Sequence, residues 1–489
     1  MRNLTGLFLG AGASYEAGMP LVWELTAELK GTLLADRVRE ENGRARAMVL
    51  GFHEAVVDDF LNILQNDAMH YEAILGYLEA QFIRKRKYSQ DYRAVYLWIV
   101  SSVYGALYNR QINQKSYLQR FLPFYDGVAH LAAQNTPLWI FSLNHDMIVE
   151  AIAARLKLPL YCGFDPSNVI NLPRRDTHGR KIGELRAEVL TRYEVQNGAM
   201  HFPNPGRPGI YLLKLHGALD QFAFNDGSDL LRFLPDTQDV DGLTGVLQAA
   251  NEELIYPVPG APGGIANAMN EIAYADQDGV MQFLRRSLLA GAHKFDTRHQ
   301  QVLPTDMLRH FEGNINFVSR LIVIGYSFGD NHINKVLCNW LEFSEDRSMH
   351  IVDVAEGGVP PFLLHLSPQV TRERATATEF LDRQAGIQRP PNDLLERRLA
   401  AVTHKLGKKA RDLTESFFRE DRDRAVATLV TKLKDLPILD GQPDFSRLDD
   451  LEEVAQQWAS EAGLDNDMGL RRMVAYLEKA VHASAQDFT

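Results

Sequence analysis

The chain has 489 residues, of which 45% are hydrophobic, 24% charged and 9% aromatic, so it is long enough for several domains of about 150 residues. These values exclude a small module, a collagen-like chain and a disordered chain. The chain has 52 Lys and Arg residues and 63 Asp and Glu residues, and the resulting net charge of −11 argues against direct nucleic-acid binding.

The cysteine content restricts metal and disulfide chemistry. Cys162 and Cys338 lie too far apart to form a CxxC pair, which excludes a four-thiolate zinc cage and a disulfide framework. The histidines show no HxxxH spacing, and no segment resembles a signal peptide or an apolar span of about 18 residues. We therefore expect a cytoplasmic protein that binds no metal and no membrane.

The predicted elements begin with a short apolar strand at residues 4–9, which ends at Gly10 and leads into helical sequence over 13–34. From 36 to 134, apolar residues recur at three- and four-residue spacing, which predicts a mostly helical insertion. One such face consists of Tyr71, Ile74, Leu75, Leu78 and Phe82.

Five later apolar runs are short and lie next to Gly, Asn, Asp or Pro, as is typical of parallel strands covered by helices on both faces. These runs are 137–144, 211–217, 253–258, 321–328 and 349–354. The predicted class is α/β, with a doubly wound, Rossmann-like parallel sheet, a helical insertion and a helical C-terminal region. Stretches rich in Pro and Gly predict surface loops at 172–182, 202–209 and 257–264.

The strand signal ends after Val354, so we predict a main domain at 1–355 and a mostly helical region at 356–489 for assembly or partner contact. The clearest break in the second region is at Pro390 and Pro391, which stop a helix.

A glycine-rich turn follows the first strand. Backbone N–H groups and the helix dipole at such a turn can approach a pyrophosphate, and the Ser14 hydroxyl adds a donor. The alternative is that the glycines only make a tight turn. Tyr15 stands where a GxGxxG motif has its third glycine, so an ordinary dehydrogenase is weakly supported. The candidate ligand contacts are Gly10, Ala11, Gly12, Ser14, Gly18 and Pro20.

Polar groups and small residues also follow four of the later strands. The carboxyl ends of parallel strands meet at one edge, where open α/β sheets bind ligands, so we expect Asn144 and His216 to converge on a ligand whose pyrophosphate lies on the glycine turn. As alternatives, Asp146 can cap the next helix and His216 can be a hydrogen-bonded structural residue. The candidates are Asn144, His145, Asp146, His216, Gly325, Ser327 and Asp353.

Taken in order, the segments GAGAS, SLNHD, KLHG and GYSFGDNHIN resemble the sirtuin superfamily, in particular the divergent prokaryotic sirtuin-like NADases of anti-phage defence systems. The resemblance covers roughly residues 4–355. It implies that NAD is the substrate and that its phosphates contact Ala11, Gly12 and Ser14. It further implies that Asn144 orients the water or the ribose, that Asp146 holds the nicotinamide side, that His216 is the catalytic base, and that the adenosine half contacts Gly325, Ser327 and Asp353.

Departures from the family pattern bear on the subtype. Protein-deacylating sirtuins carry Asp-Phe-Arg after the Gly-x-Pro turn, whereas Pro20 is followed here by Leu-Val-Trp, and two cysteines cannot supply their four-cysteine zinc module. Leu143 replaces a usual Gln and His145 replaces an apolar residue. His145 is therefore either a second polar group of the nicotinamide pocket or a bystander.

The leading functional hypothesis is an NAD glycohydrolase that cleaves NAD to nicotinamide and ADP-ribose and depletes NAD in triggered anti-phage defence, known as abortive infection. The alternatives are a zinc-less NAD-dependent protein deacylase and a non-catalytic sensor of NAD or ADP-ribose. The resemblance also implies a homo-oligomer and a partner protein: a HerA-type ATPase, a short Argonaute, or a nucleotide-processing or nucleotide-sensing subunit. The sequence does not choose among these partners.

Overall fold

A computed structural model describes residues 4–47, 51–84, 87–203, 206–288 and 306–390, together with positions 393–394, 397, 438–439 and 442–443. The strands are β1 Thr5–Leu9, β2 Leu138–Ser142, β3 Leu160–Tyr161, β4 Val169–Arg175, β5 Lys181–Leu190, β6 Ile210–Lys214, β7 Gln221–Phe224, β8 Asp229–Phe233, β9 Glu271–Ala275, β10 Met281–Arg286, β11 Arg320–Ile324, β12 Ser348–Asp353 and β13 Val370–Arg374. Two further short strands, Ile438–Leu439 and Gln442–Pro443, pair with each other.

The helices alternate with the strands of the main sheet and fill the predicted insertion. They are α1 Ala11–Tyr15, α2 Val22–Thr32, α3 Ala35–Ala47, α4 Glu54–Leu64, α5 Tyr71–Ile83, α6 Ser89–Asn113, α7 Lys115–Phe121, α8 Gly127–Gln134, α9 Ile148–Leu156, α10 Arg192–Gln196, α11 Val240–Glu252, α12 Asp306–Asn314, α13 Asn331–Glu342 and α14 Ala377–Ala385. No helix in these described parts is long and apolar enough to cross a membrane.

The main sheet has seven parallel strands in the order β13-β12-β11-β1-β2-β6-β3. From β1 the chain moves to β2 and β6 on one side and later returns to β11, β12 and β13 on the other. The direction of winding therefore changes beside β1, and such a switch point opens a crevice at the carboxyl ends of the strands. All five positions of β2 and of β6 are buried, because helices cover both faces of the sheet. The predicted doubly wound α/β class is confirmed.

The predicted insertion at 36–134 is helical in its described parts, from α3 to α8. On α5, Tyr71, Ile74, Leu75 and Leu78 are buried as their spacing predicts, and Phe82 is half-buried.

A second sheet is a feature that the sequence did not predict. It has six antiparallel strands in the order β4-β5-β8-β7-β10-β9. The predicted surface loop at 172–182 is too long: residues 176–180 are a loop, but residues 172–175 end β4 and residues 181–182 begin β5 of a hairpin in this sheet. Because β4 contains arginines and a proline, it lacks the alternation of apolar and polar residues that is typical of an antiparallel strand.

The predicted strand at 253–258 is also wrong. Leu254 and Ile255 are buried, but this segment leaves α11 as irregular chain and only Pro257 forms an isolated bridge, to Ile265. Proline has no N–H group to donate to a ladder, so Pro257 disfavours strand pairing at this position.

The main sheet extends beyond the predicted boundary at 355. β13 pairs in parallel with β12, and α14 packs against α8. The strand was missed because VTRER has few apolar residues and lies at the sheet edge. Most of the helical region predicted at 356–489 lies outside the described residues.

Two buried carboxylates connect α14 to its surroundings. Glu16, just after α1, accepts hydrogen bonds from the backbone N–H of Thr378 at 3.0 Å and from its hydroxyl at 2.9 Å, and burial raises the pKa of this carboxyl. Asp382, on α14, is paired with Arg389 at 2.7 Å and with Arg397 at 2.8 Å. The segment that follows α14 is thereby anchored to α14, and α14 in turn contacts Glu16 next to the glycine turn.

Candidate active site

Most of the predicted site residues lie at the carboxyl ends of neighbouring strands. The glycine turn follows β1, Asn144, His145 and Asp146 follow β2, and His216 follows β6. The Gly325 segment follows β11, the other neighbour of β1. This edge lies beside the switch point, where a parallel α/β sheet offers room for a ligand.

The glycines of the turn permit close contact between two backbones. The N–H of Gly10 donates to the Ile324 carbonyl and that of Gly12 to the Gly325 carbonyl, each at 3.0 Å. A Cβ atom on Gly10 would lie 2.5 Å from the Gly325 oxygen. These two amides are therefore engaged by the neighbouring strand end rather than presented to a phosphate, so the tight-turn alternative describes both glycines.

Gly325 is the counterpart in this contact, and its replacement by alanine should destabilise the protein. Its φ is +63°, and a Cβ atom would lie 2.5 Å from both the Ala13 nitrogen and the Gly12 Cα. We expect Gly325→Ala to lower the free energy of unfolding by about 2 kcal/mol or more, measured by urea denaturation. Gly329→Ala in the same loop is the control, because its nearest neighbour would be 3.8 Å away. Equal stability of the two variants would contradict this account.

Asn144 joins the end of β2 to the glycine turn. Its side-chain N–H groups donate to the Gly10 carbonyl and to the Ser14 hydroxyl oxygen, each at 2.9 Å, and its backbone N–H donates to Ser142 at 3.1 Å. Asn144 and Ser14 are both buried. The amide of Asn144 is thus fixed in orientation beside the first turn of α1.

His216 lies at the end of β6 and faces a carboxylate from across the sheet. Its Nε2 atom is 3.3 Å from Oδ2 of Asp330, which precedes α13. The His145 ring lies near it, with 6.4 Å between the ring centroids, and His145 Nδ1 is 3.4 Å from the Gly217 carbonyl oxygen. Two imidazoles and one carboxylate therefore share this part of the edge.

The loop that carries His216 is packed against the antiparallel sheet. Gly217 has a φ of +80°, and a Cβ atom there would lie 1.9 Å from the Ser287 carbonyl oxygen. The Ser287 hydroxyl accepts from the Ala218 N–H at 3.2 Å. Only glycine fits at position 217, so the His216 backbone is held in place.

Asp146 forms an Asx turn directly before α9, whose N-cap residue is Met147, so the side chain has a structural role close to the predicted cap but one residue earlier. Its Oδ1 atom accepts from the Ile148 N–H at 3.0 Å, at the start of α9. Its backbone carbonyl accepts a short hydrogen bond from Lys214 Nζ. Asp146 is buried and therefore organises the turn that follows β2.

A buried ion pair lies beneath this part of the edge. Lys214 Nζ is 2.7 Å from Glu150 Oε1, and both side chains are 2% exposed. Burial alone favours a neutral amine, but the carboxylates of Glu150, Asp220 and Asp146 outweigh it and raise the pKa of Lys214. This lysine connects β6, which carries His216, to the turn of Asp146.

The remaining predicted site residues are placed differently. Gly18 lies against α6 and α7, where a Cβ atom would be 2.4 Å from the Gln114 side chain, and Pro20 is buried nearby in the chain. Ser327 is exposed, and Asp353 lies 3.5 Å from Arg372 and caps its own turn through Ala355. The contacts described for Gly18 and Asp353 are with other parts of the chain, and the ligand contacts predicted for all four residues stay predictions.

An apolar cavity of about 30 Å³ lies beneath the turn, between β1, β2, α9 and α14. Ser14 and Tyr125 are among its lining residues. This volume is sufficient for one or two water molecules and far too small for a nucleotide. A ligand as large as a nucleotide would bind at the carboxyl ends of the strands instead.

Among the described residues, two groups of side chains could hold a metal ion, and neither includes a predicted site residue. In one, Glu194 pairs with His201 at 2.8 Å beside Asp165; in the other, Glu342 pairs with His365 at 2.7 Å beside Cys338. Burial and the nearby Glu342 raise the pKa of the Cys338 thiol, which disfavours the thiolate that a metal requires.

Comparisons with known proteins give distant structural matches only. No family model matches this chain. No curated protein matches it either. A structure on the mechanism and regulation of Sir2 enzymes has 11% identity and a TM-score of 0.27, over 54% of this chain and 69% of that one. A Sir2 complex with an inhibitor, 2′-O-acetyl-ADP-ribose and a deacetylated peptide has 12% identity and a TM-score of 0.28, over 79% and 95% respectively. Similarity at this level assigns no residue role.

Two residues of this edge were not selected from the sequence. Asp330 lies inside the GYSFGDNHIN segment, where an Asp before a helical run predicts a helix cap, but nothing local indicates His216 as its neighbour. Lys214 lies in KLHG, where a lysine ending an apolar strand is the signal that could have predicted a buried ion pair.

Proposed function

We propose that this protein is an NAD glycohydrolase, which hydrolyses the bond between nicotinamide and ribose. The observation that carries the proposal is the pair of side chains at the ends of adjacent strands: Asn144, fixed on the glycine turn, and His216, facing Asp330. Both lie at the carboxyl edge beside the switch point, the usual ligand-binding edge of such a sheet. They provide a fixed amide and an acid–base group without an evident nucleophile.

The reaction suits this set of groups. The bond between ribose C1′ and the nicotinamide nitrogen breaks, and its electron pair neutralises the pyridinium ring, leaving an oxocarbenium-like ribose. A water oxygen forms the new bond to C1′ and releases one proton. His216 accepts this proton from the water and passes it to solvent, giving nicotinamide, ADP-ribose and H⁺; if His216 first takes the ribose hydroxyl proton, the proton released by the water restores that hydroxyl, so one proton is released in all.

Asn144 has a positioning task in this proposal. Its N–H groups are bonded to Gly10 and Ser14, so its orientation is set before a ligand arrives. The Ser14 hydroxyl accepts from Asn144 and can still donate its own hydrogen to a phosphate oxygen. We therefore assign the phosphate contacts to Ala11 and Ser14, because the amides of Gly10 and Gly12 are engaged by β11 and the residue after it.

The direct test is product analysis. The purified protein, alone and with its candidate partner, is incubated with NAD, and nicotinamide and ADP-ribose are quantified by chromatography. Equal molar release of both products without an acylated peptide supports the proposal. Release that requires an acylated lysine would indicate a deacylase, and tight NAD binding without release in the assembled complex would indicate a sensor.

We further propose that the activity depletes NAD during phage infection. An enzyme that consumes NAD must be silent in a healthy cell, so its activity requires a trigger. The described insertion from α3 to α8 and the region beyond α14 are the proposed contacts for a homo-oligomer and for a partner protein. The resemblance stated above supports a HerA-type ATPase, a short Argonaute or a nucleotide-processing or nucleotide-sensing subunit.

Metal removal should leave this reaction unchanged. Nicotinamide is already a good leaving group, and the site needs only a positioned water and an acid–base group. We expect dialysis against a chelator to change the rate of NAD hydrolysis by less than about twofold. Loss of activity that is restored by added zinc, together with one zinc per chain by elemental analysis, would contradict this prediction.

A further inference from the structure

The geometry points to Asp330 as the residue that orients His216 and stabilises its protonated form during NAD hydrolysis. This inference rests on the proposed function and adds a positioning residue to it. Oδ2 of Asp330 lies 3.3 Å from Nε2 of His216, an ion-pair contact rather than an aligned hydrogen bond, and the two side chains are 12% and 6% exposed. A carboxylate in this position favours the imidazolium that forms when histidine accepts a proton.

The contact spans the site. His216 follows β6 and Asp330 follows β11, and β1 and β2 lie between these strands in the sheet. Three strand spacings amount to about 14 Å, so the two loops must extend toward each other across the carboxyl ends of β1 and β2. Such a contact is a specific tertiary arrangement, since neighbouring strands alone would not bring these side chains together.

The carboxylate of Asp330 is held rigidly by its other oxygen. Oδ1 caps α13, accepting from the N–H groups of His332 at 3.0 Å and Ile333 at 3.3 Å. The positive end of this twelve-residue helix also favours the ionised carboxylate. One oxygen therefore fixes the side chain while the other faces the imidazole.

The loop that carries Asp330 is fixed as well. The Tyr326 hydroxyl donates to Asn334 Oδ1 at 3.0 Å and accepts from the Asp330 N–H at 3.3 Å. The Asn334 side chain donates to the Phe328 carbonyl at 2.7 Å, and Phe328 has a φ of +60°. A non-glycine residue in this conformation is held by its surroundings, so the loop has one defined shape.

The groups that face His216 come from two elements. Asp330 approaches from the loop before α13, and the His145 ring approaches from the loop after β2. Lys214, two residues earlier on β6, is directed to Glu150 instead. The negative charge that faces the imidazole in these contacts is that of Asp330.

The test is Asp330→Asn, which keeps an acceptor for the helix cap and removes the charge. We expect kcat for nicotinamide release to fall about 10- to 100-fold with KM within about threefold, and the thermal midpoint to stay within about 2 °C. Asp239→Asn is the matched control, because Asp239 caps α11 through Gly242 and should leave kcat unchanged. In a His216→Gln background, Asp330→Asn should have no further effect.

A second measurement does not depend on turnover. In the full-length protein with ¹³C-labelled histidine, the signal lost in His216→Gln identifies this imidazole. Its titration midpoint should fall by about one pH unit in Asp330→Asn, because the charged ring loses its carboxylate. An unchanged midpoint, or equal rate losses with and without His216, would overturn the inference. A wild-type protein that does not hydrolyse NAD would refute the proposed function while the midpoint still decides whether Asp330 acts on His216.

Discussion

Replacing His216 by alanine should lower the rate of nicotinamide release in the activated protein at least about a hundredfold. The side chain is buried at the carboxyl end of β6, and in the proposed reaction its loss removes the group that accepts a proton. A positioned acid–base group commonly contributes about 3–5 kcal/mol to transition-state stabilisation, which corresponds to this loss. The measurement is initial-rate release of nicotinamide at saturating NAD.

The control for this variant is His365→Ala. His365 is exposed, pairs with Glu342, and belongs to one of the two possible metal groups, so its loss should leave the rate unchanged. If folded His216→Ala hydrolyses NAD at close to the wild-type rate, the assignment of the acid–base group is wrong, and His145 becomes the next candidate.

Asn144→Ala should produce a rate loss of similar size for a different reason. The variant loses the hydrogen bonds to Gly10 and Ser14, so the turn and the water position both become less defined. We also expect a decrease of about 1–3 kcal/mol in the free energy of unfolding, because the Gly10 carbonyl loses a buried donor. A variant that is less stable but fully active would show that Asn144 is structural only.

The largest effect on stability should come from Lys214→Met. This change leaves Glu150 as a buried carboxylate without its cation, which typically costs about 3–5 kcal/mol. The same change removes the hydrogen bond to the Asp146 carbonyl, so the turn after β2 is no longer tied to β6. We therefore expect lower stability in urea unfolding and a lower rate of NAD hydrolysis in the protein that remains folded.

The double variant Glu150→Leu with Lys214→Met is the matched comparison. When both charges are replaced by apolar side chains of similar volume, Glu150 no longer contributes an unpaired buried charge, and only the effect of the lost cation on Asp146 and Asp220 is left. Its stability should be closer to that of the wild type than the stability of Lys214→Met. A single variant that costs less than about 1 kcal/mol would contradict the presence of a buried ion pair.

The edge of the main sheet could be predicted from the sequence, because apolar runs that end in polar residues mark parallel strand ends. The contacts that each group makes at that edge could not be predicted. Whether the Gly10 and Gly12 amides face a phosphate or a neighbouring strand depends on the carbonyls of Ile324 and Gly325, which are far away in the chain. Local sequence carries no record of that contact.

The antiparallel sheet and the contact of His216 with Asp330 escaped prediction for related reasons. The β4–β5 hairpin is polar and partly exposed, so its residues have the composition of a surface loop. Asp330 has a complete local explanation as a helix cap, so the sequence gives no reason to place it beside His216. Contacts that form only when distant loops meet require the fold to be known first.

The two arginines that bind Asp382 determine how the C-terminal region can be exchanged between proteins. A chimera joined at the Pro390–Pro391 break would separate Arg397 from the buried Asp382 carboxylate, although α14 itself would be intact. The Asp382 carboxylate would then be paired with Arg389 alone. Asp382 lies on α14, whose Thr378 donates to Glu16 next to the glycine turn. A functional graft of another C-terminal region therefore has to begin after Arg397, so that Asp382, Arg389 and Arg397 move as a unit.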